Sequence, residues 1–530
     1  MQAKTGMRFK LRHRQHDRNR LQRGASALVL GICTTLPAIA QAPLSAIDWL
    51  NDPVTAPVVD PTHTLEPPVS TGALAPNVSV TTLGASTAEA VGLLSSRVTG
   101  LPADLWQHSD AQGLNALLTK QQLTTLPAIQ ALFYTLLLAE AEAPFAATDK
   151  ASFLNGRLDA LLSLGAVEAV QALLDRAGTT TPDRFARWFD ATLLTGDEDR
   201  ACEALRDAPN LSPSYAARVY CTARRGDWTT AALTLSTGTV LGLITPQERA
   251  LLDLFLDPEL FEGAPLPHPP VRPSPLIFRL QEAVGEPLPT APLPRAFAVS
   301  DLRGTSGWKA RIEAAERLAQ TGALAPNRLH GIYSERLPAA SGGLWDRVDA
   351  VQRFDLALKA RDPAAIATTL PRAVQAMRVA QLEVAFAKIY AKDLMTVPLT
   401  GAAADLAYHT ALLSPHYEVA AQQLGADRPQ SAFLTALAKG QPASVPTHHP
   451  VERKIIEGFN STALPPLFAT EIAERRLGEV ILQAMRLYQR AIAGELAELP
   501  RALATFRALG LEDTARQAAL QFLLLERAGT

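Results

Sequence analysis

Apolar residues recur at helical spacing along most of this chain. Between Thr87 and Leu260 the pattern breaks at Gly, Pro or Asp-rich turns every dozen or so residues, which predicts a succession of short amphipathic helices. Three stretches align, Arg157 to Gly165, Arg187 to Gly196 and Arg218 to Gly226, and their glycines are 31 and 30 residues apart. A second amphipathic stretch follows each, so the predicted unit is helix, tight turn, helix. An alanine falls five residues after two of these glycines, at Ala201 and Ala231, and the same spacing returns from Gly510 to Ala515. Glycine lets the backbone reverse between helices, and alanine lets the second helix approach the first closely.

The helical period resumes at about Gly307, first in Trp308 to Ala319, and runs with loops to Glu526. Its last elements are expected at about 477–493 and 496–508, before the Gly510 turn and a final amphipathic helix. Between the two helical stretches, ten prolines fall from Pro265 to Pro294 around one short helical run, Leu276 to Ala283. Proline at that density prevents a continuous helix. The expected architecture is therefore all-α: an antiparallel helix-pair solenoid in two halves, over residues 86–262 and 301–530, joined by a Pro-rich connector over 263–300.

One repeat, Gly226, Asp227, Trp228, Thr229, Thr230 and Ala231, resembles the tetratricopeptide class. The resemblance covers about a quarter of the chain beyond the leader and implies stacked helix pairs with an extended binding surface. The repeats are shorter than that family's unit of about 34 residues, and most of its Trp, Tyr and Pro landmarks are missing. Its peptide-binding residues are therefore not carried over.

The first 42 residues follow a different pattern. Eight basic residues, from Lys4 to Arg23, stand against Asp17 alone, and an apolar run from Ala25 to Leu36 follows. Small residues then alternate at Ala38, Ala40 and Ala42. This order predicts a secretory signal peptide over 1–42, cleaved after Ala40 or Ala42, with an apolar run too short to span a bilayer. No paired arginines precede that run, and Ile32 before Cys33 is too large for a lipidation site. Export to the periplasm or beyond is the expected localisation.

Behind the cleavage site, residues 43–85 are rich in Pro, Thr, Val and Ala without helical period, which reads as an extended linker. At its start, residues 44–50 carry Leu44, Ile47, Trp49 and Leu50, a short apolar peptide on a tether. It either docks on a partner or folds back on its own domain.

Length and composition refine this picture. A chain of 530 residues accommodates two to four units at roughly 150 residues each. Aromatics make up only 6% of it, so the helices are expected to pack through alanine and leucine. Removing the leader takes eight basic residues and one acidic residue, which leaves a net charge of −9. An acidic chain with no basic stripe is a poor partner for nucleic acid or an anionic membrane, and no stretch beyond the leader reaches transmembrane length.

Candidate chemistry is sparse. Cys202 and Cys221 remain once Cys33 leaves with the leader, and a disulfide between them is expected in an oxidising compartment. In the repeat register they sit on neighbouring helices about two turns from the shared loop, within bonding reach. Adjacent His448 and His449 lack ligands at metal spacing. Ser341, Gly342 and Gly343 lack the strand and elbow of a nucleophilic serine, and Ser341 is expected to cap the helix starting near Leu344. Glu313 and Glu316 lie beside Arg311 and Arg317 at the spacing of a solvated helix face. No catalytic, metal or cofactor site is assigned.

Residues 308–347 have the most unusual composition, with Trp308, His330, Tyr333, Glu335, Arg336, Trp345 and Arg347. Such side chains concentrate at binding hot spots and also fill helix interfaces. Trp308, Arg336, Trp345 and Arg347 are the candidate binding surface. The expected function is that of an exported, non-catalytic helical-repeat scaffold or adaptor holding another cell-envelope protein. The alternative is a cell-wall-acting enzyme with chemistry near residues 308–347, where Glu335 or His330 would supply the acid or base.

Overall fold

Capping residues decide where many of the helices begin. The computed structural model describes residues 88–122, 126–147, 152–261, 263, 267–461 and 463–525. The chain divides into a unit over Met1–Thr81, outside the described residues, and a unit over Thr82–Thr530. The latter contains twenty-five α-helices and no β-strand among the described residues. The first ten are α1 (Ser96–Thr99), α2 (Ala111–Thr119), α3 (Pro127–Leu138), α4 (Phe153–Leu164), α5 (Val167–Ala177), α6 (Pro182–Thr195), α7 (Glu198–Asp207), α8 (Tyr215–Arg224), α9 (Trp228–Val240) and α10 (Pro246–Leu256). Asp110, Ser152, Ser214 and Asp227 each accept an otherwise unpaired amide of the first turn of the helix that follows, and Thr245 forms a reciprocal capping box with Glu248.

Consecutive helices from α4 to α10 pack on one another. The tight turns fall where the glycines predict them. Gly165 and Gly196 cap α4 and α6 at φ 87° and 91°, a left-handed conformation that side-chain-bearing residues rarely adopt. Ala201, Ala231 and Ala515, each five residues past such a glycine, are fully buried. Arginine opens each aligned repeat but serves three ends. Arg157 is buried and donates to the carbonyls of Leu137, Val91 and Ala139 at 2.8, 2.8 and 3.1 Å. Burial lowers its guanidinium to about 10, with Glu89 opposing. Arg187 forks onto Asp159 at 2.9 and 3.0 Å, and Arg218 stacks on Tyr215.

The prolines predict a connector, and the structure has packed elements there. Helix α11 (Pro275–Ala283) lies on α6 and α10, and α12 (Ala298–Asp301) lies on α6. Buried Glu198 on α7 accepts from Arg279 Nη2 at 2.6 Å and from Tyr220. Arg279 also binds Glu282, which in turn holds Arg303. Helix ends contribute too: Ser300 Oγ donates to the Leu194 carbonyl and Thr321 Oγ1 to that of Leu164. These fill acceptors that the last turns of α6 and α4 leave open. Residues 263–300 therefore lie inside the Thr82–Thr530 unit.

The chain continues through α13 (Trp308–Ala319), α14 (Pro326–Tyr333), α15 (Leu344–Lys359), α16 (Pro363–Val379), α17 (Glu383–Leu394), α18 (Gly401–Leu412), α19 (Tyr417–Leu424) and α20 (Ala432–Ala438). It ends with α21 (Pro450–Asn460), α22 (Ala469–Ala473), α23 (Leu477–Ile492), α24 (Leu499–Ala508) and α25 (Glu512–Leu524). The last helices return to the first. Helix α2 packs on α23, and α3 packs on α23 and α25. Three buried glutamines fasten this contact: Gln121 Nε2 donates to the Leu482 carbonyl at 3.0 Å, Gln489 accepts the Gln122 amide, and Gln521 accepts the Ala128 amide at 2.8 Å.

Candidate functional site

Residues 308–347 fold as α13, α14, an exposed loop and the first turn of α15. The rings of Trp308 and Trp345 lie with centroids 5.1 Å apart, tilted by 40°, and Trp308 Nε1 donates to the Ile332 carbonyl at 2.8 Å. Glu316 on α13 is buried. It receives both arms of the Arg347 guanidinium, at 2.7 and 2.8 Å, and the Tyr333 hydroxyl. A carboxylate removed from water needs its charge answered and its lone pairs filled, and a planar fork does both. Burial, and then the Glu316 charge, push the Tyr333 phenol well above its ordinary range, so the proton it donates is held.

The structure thus gathers Trp308, Trp345 and Arg347 into one junction of α13 with α15. Arg336 stands apart on the exposed loop, 3.9 Å from Glu335. The two acid–base candidates occupy separate networks. Glu335 holds Arg311 at 2.7 Å. His330 Nδ1 lies 3.1 Å from the Tyr390 hydroxyl and Nε2 lies 3.8 Å from the Asp355 carboxylate.

The expected cap on α15 is different. Ser341 does not cap this helix: its N-cap is Gly343 at φ 52°, with no side-chain bond. Instead the Asp346 carboxylate reaches back to the Gly342 amide at 2.9 Å. Two glycines with positive φ turn the chain too sharply for the serine three residues earlier to face the first helical amides.

Cys202 on α7 and Cys221 on α8 form a disulfide with Cα atoms 4.8 Å apart, both buried. The helices are consecutive and packed, as the repeat register predicts. Residues 44–50, with Leu44, Ile47, Trp49 and Leu50, lie outside the described residues. His448 and His449 are exposed at the start of α21.

Helix α9 carries an uncharged surface that no sequence motif marks. No charged residue occurs from Trp228 to Gln247, the whole of α9 and its following turn. Ala231, Leu235 and Gly238 face inward. The outer face shows Leu233 at 67% and Val240 at 88% exposure, followed in the turn by Leu241 at 61%. Trp228, half exposed, begins the helix with its ring 6.2 Å from Phe255. Leu233 and Val240 are seven residues apart and so share one face two turns along. The signal was present as a twenty-residue run without charge; the amphipathic template hid it, because a helix with apolar residues on both faces lacks the expected contrast.

Among the described residues no helix is long and apolar enough to cross a membrane. No family model, curated protein or solved structure matches this chain.

Proposed function

We propose that this chain is an exported, non-catalytic scaffold, a helix-pair superhelix that holds another protein of the cell envelope. The observation that carries this reading is the exposed uncharged face of α9 and its turn, with Leu233, Val240 and Leu241 open to solvent. Large aliphatic side chains left exposed on an uncharged helix and turn offer a partner apolar surface to cover. Export is supported by the basic and apolar leader and by the Cys202–Cys221 disulfide, a bond that persists in oxidising compartments.

The test is an affinity pull-down from the envelope fraction with the exported protein and with a Leu233→Glu, Val240→Glu variant. Both positions are exposed, so the fold tolerates the charges. A partner held by the native protein and lost by the variant supports the reading. Identical retrieval by both, or retrieval of nothing by either, overturns it.

A further inference from the structure

The outer side of α9 is large, small and large again along its length. Ala232, Leu233, Ser236, Thr237, Val240 and Leu241 are exposed, and their spacing places them on one face. The opposite side is fixed. It packs on α8 and α10, and a Cβ on Gly238 would stand 2.8 Å from Ile244 Cδ1 and 3.4 Å from Tyr215 Cδ1. The helix is held against its neighbours and cannot roll its outer residues inward.

Three features of that face describe what covers it. The first is symmetry. Ser236 and Thr237 lie midway between Leu233 and Val240, each of which stands about 5 Å along the axis from that midpoint. Turned end for end, the face repeats itself: Leu233 takes the place of Val240, and the small residues stay at the centre. A closed two-fold pair requires a surface that meets itself in this way.

The second is charge. Beyond residue 42 the chain carries a net charge of −9, so two copies repel over much of their surfaces. From Trp228 to Gln247 there is no charge, and both signs bound the run at each end, Arg225 and Asp227 before it and Glu248 and Arg249 after it. Reversing one copy on another therefore opposes no single-sign patch. A charged partner surface would be buried against groups that cannot answer it, so the occupant is itself uncharged where it touches.

The third is hydrogen bonding. Thr234 and Thr239 donate to the Thr230 and Leu235 carbonyls of their own helix. The hydroxyls of Ser236 and Thr237 donate to no protein group among the described residues. A hydroxyl both donates and accepts, so where two copies cross, these groups answer one another.

We infer that the occupant of this face is a second copy of this chain, laid antiparallel on α9 about a two-fold axis between Ser236 and Thr237. Leu233 of each copy then meets Val240 of the other, and the helix dipoles run head to tail. The inference rests on the reading that a protein covers this face, and it names that protein. One helix per copy buries less than the roughly 800 Å² per partner of a standard interface, so the pair forms and separates with concentration.

The exported protein is tested by sedimentation equilibrium between about 1 and about 100 μM. The mass is expected to rise from one chain toward two, while Leu233→Glu with Val240→Glu stays at one chain throughout with an unchanged circular dichroism spectrum. Engineered cysteines read the register, because Cys202 and Cys221 are already joined. Ser236→Cys is expected to form a disulfide with its own copy. An equal mixture of Leu233→Cys and Val240→Cys proteins is expected to cross-link about fivefold more than Leu233→Cys alone, because only the mixed pair brings its Cβ atoms into bonding range. A single chain at every concentration, a dimer that survives the two glutamates, or self-linking of Leu233→Cys as ready as that of the mixture overturns the pairing. A single chain whose α9 face still retrieves a different envelope protein overturns the pairing and leaves the reading above in place.

Discussion

The indole of Trp106 fills the space where a side chain would stand on Gly478. A Cβ at that glycine would lie 2.2 Å from the Trp106 ring and 3.0 Å from the Leu105 carbonyl, and the Gly478 amide donates to that carbonyl at 3.2 Å. Trp106 is buried in the turns between α1 and α2, and Gly478 sits in the first turn of α23. The contact is where the start of the Thr82–Thr530 unit meets its end.

Gly478→Ala tests whether that meeting contributes stability. The added methyl enters a filled core and forces the ring or the helix to shift, at a cost of about 1–3 kcal/mol. The expected result is a lower urea midpoint with a red shift in tryptophan emission. An unchanged midpoint would show that the two ends meet without holding each other.

This closure was not legible in the sequence, whereas the helices were. The helical stretch from Trp308 to Ala319 and the turns at Gly165, Gly196 and Gly226 follow from local chemistry: an apolar period, and a left-handed glycine that after Gly196 and Gly226 is followed by an alanine five residues on. The pairing of Cys202 with Cys221 is also local, because adjacent helices in a repeat are adjacent in space. Contacts between Gln121 and Leu482, or between Ala128 and Gln521, join residues hundreds of positions apart and leave no periodic trace. Proline reports that a long helix is impossible, not how the segment packs: the short run Leu276 to Ala283 is α11, and its packing on α6 and α10 leaves no local signal. At the 308–347 cluster the composition identified the side chains, but the pairing of Arg347 with Glu316 depends on how α13 meets α15, which no spacing reveals.

The disulfide closes 19 residues of chain separation, for which the chain-entropy relation gives about 3 kcal/mol. Cys202→Ala with Cys221→Ala is expected to lower stability by that amount, while keeping the helical circular dichroism signal at low temperature. Because α7 and α8 also carry the buried Glu198 and Tyr220, the loss should appear first as faster amide exchange in these two helices. Uniform exchange across the whole unit would refute a local role.

Glu316 gives a third stability test. Removing one partner of a buried, hydrogen-bonded ion pair costs about 3–5 kcal/mol, because the other charge stays behind. Arg347 retains some access to water, so Glu316→Gln is expected at the lower end of that range. Adding Arg347→Met to Glu316→Gln should restore part of the loss, and the double-mutant cycle measures the coupling. Strict additivity of the two changes would show that the pair is not a unit.

Asp190 on α6 gives the protein a stability that depends on pH. Burial raises its carboxyl to about 7, against the opposing pull of Arg187, which is itself held by Asp159. In the unfolded chain the same group titrates near 4. The folded pKa is the higher of the two, so the folded state favours the protonated form. Its contribution is complete below about pH 4 and is lost as the pH rises through about 7, amounting to about 4 kcal/mol at most at 1.4 kcal/mol per unit. Asp190→Asn keeps the neutral form at every pH. The variant is therefore expected to match the native protein near pH 4 and exceed it in urea midpoint at pH 8. Parallel stability curves from pH 4 to 8 would mean that this carboxylate is solvated in the folded chain.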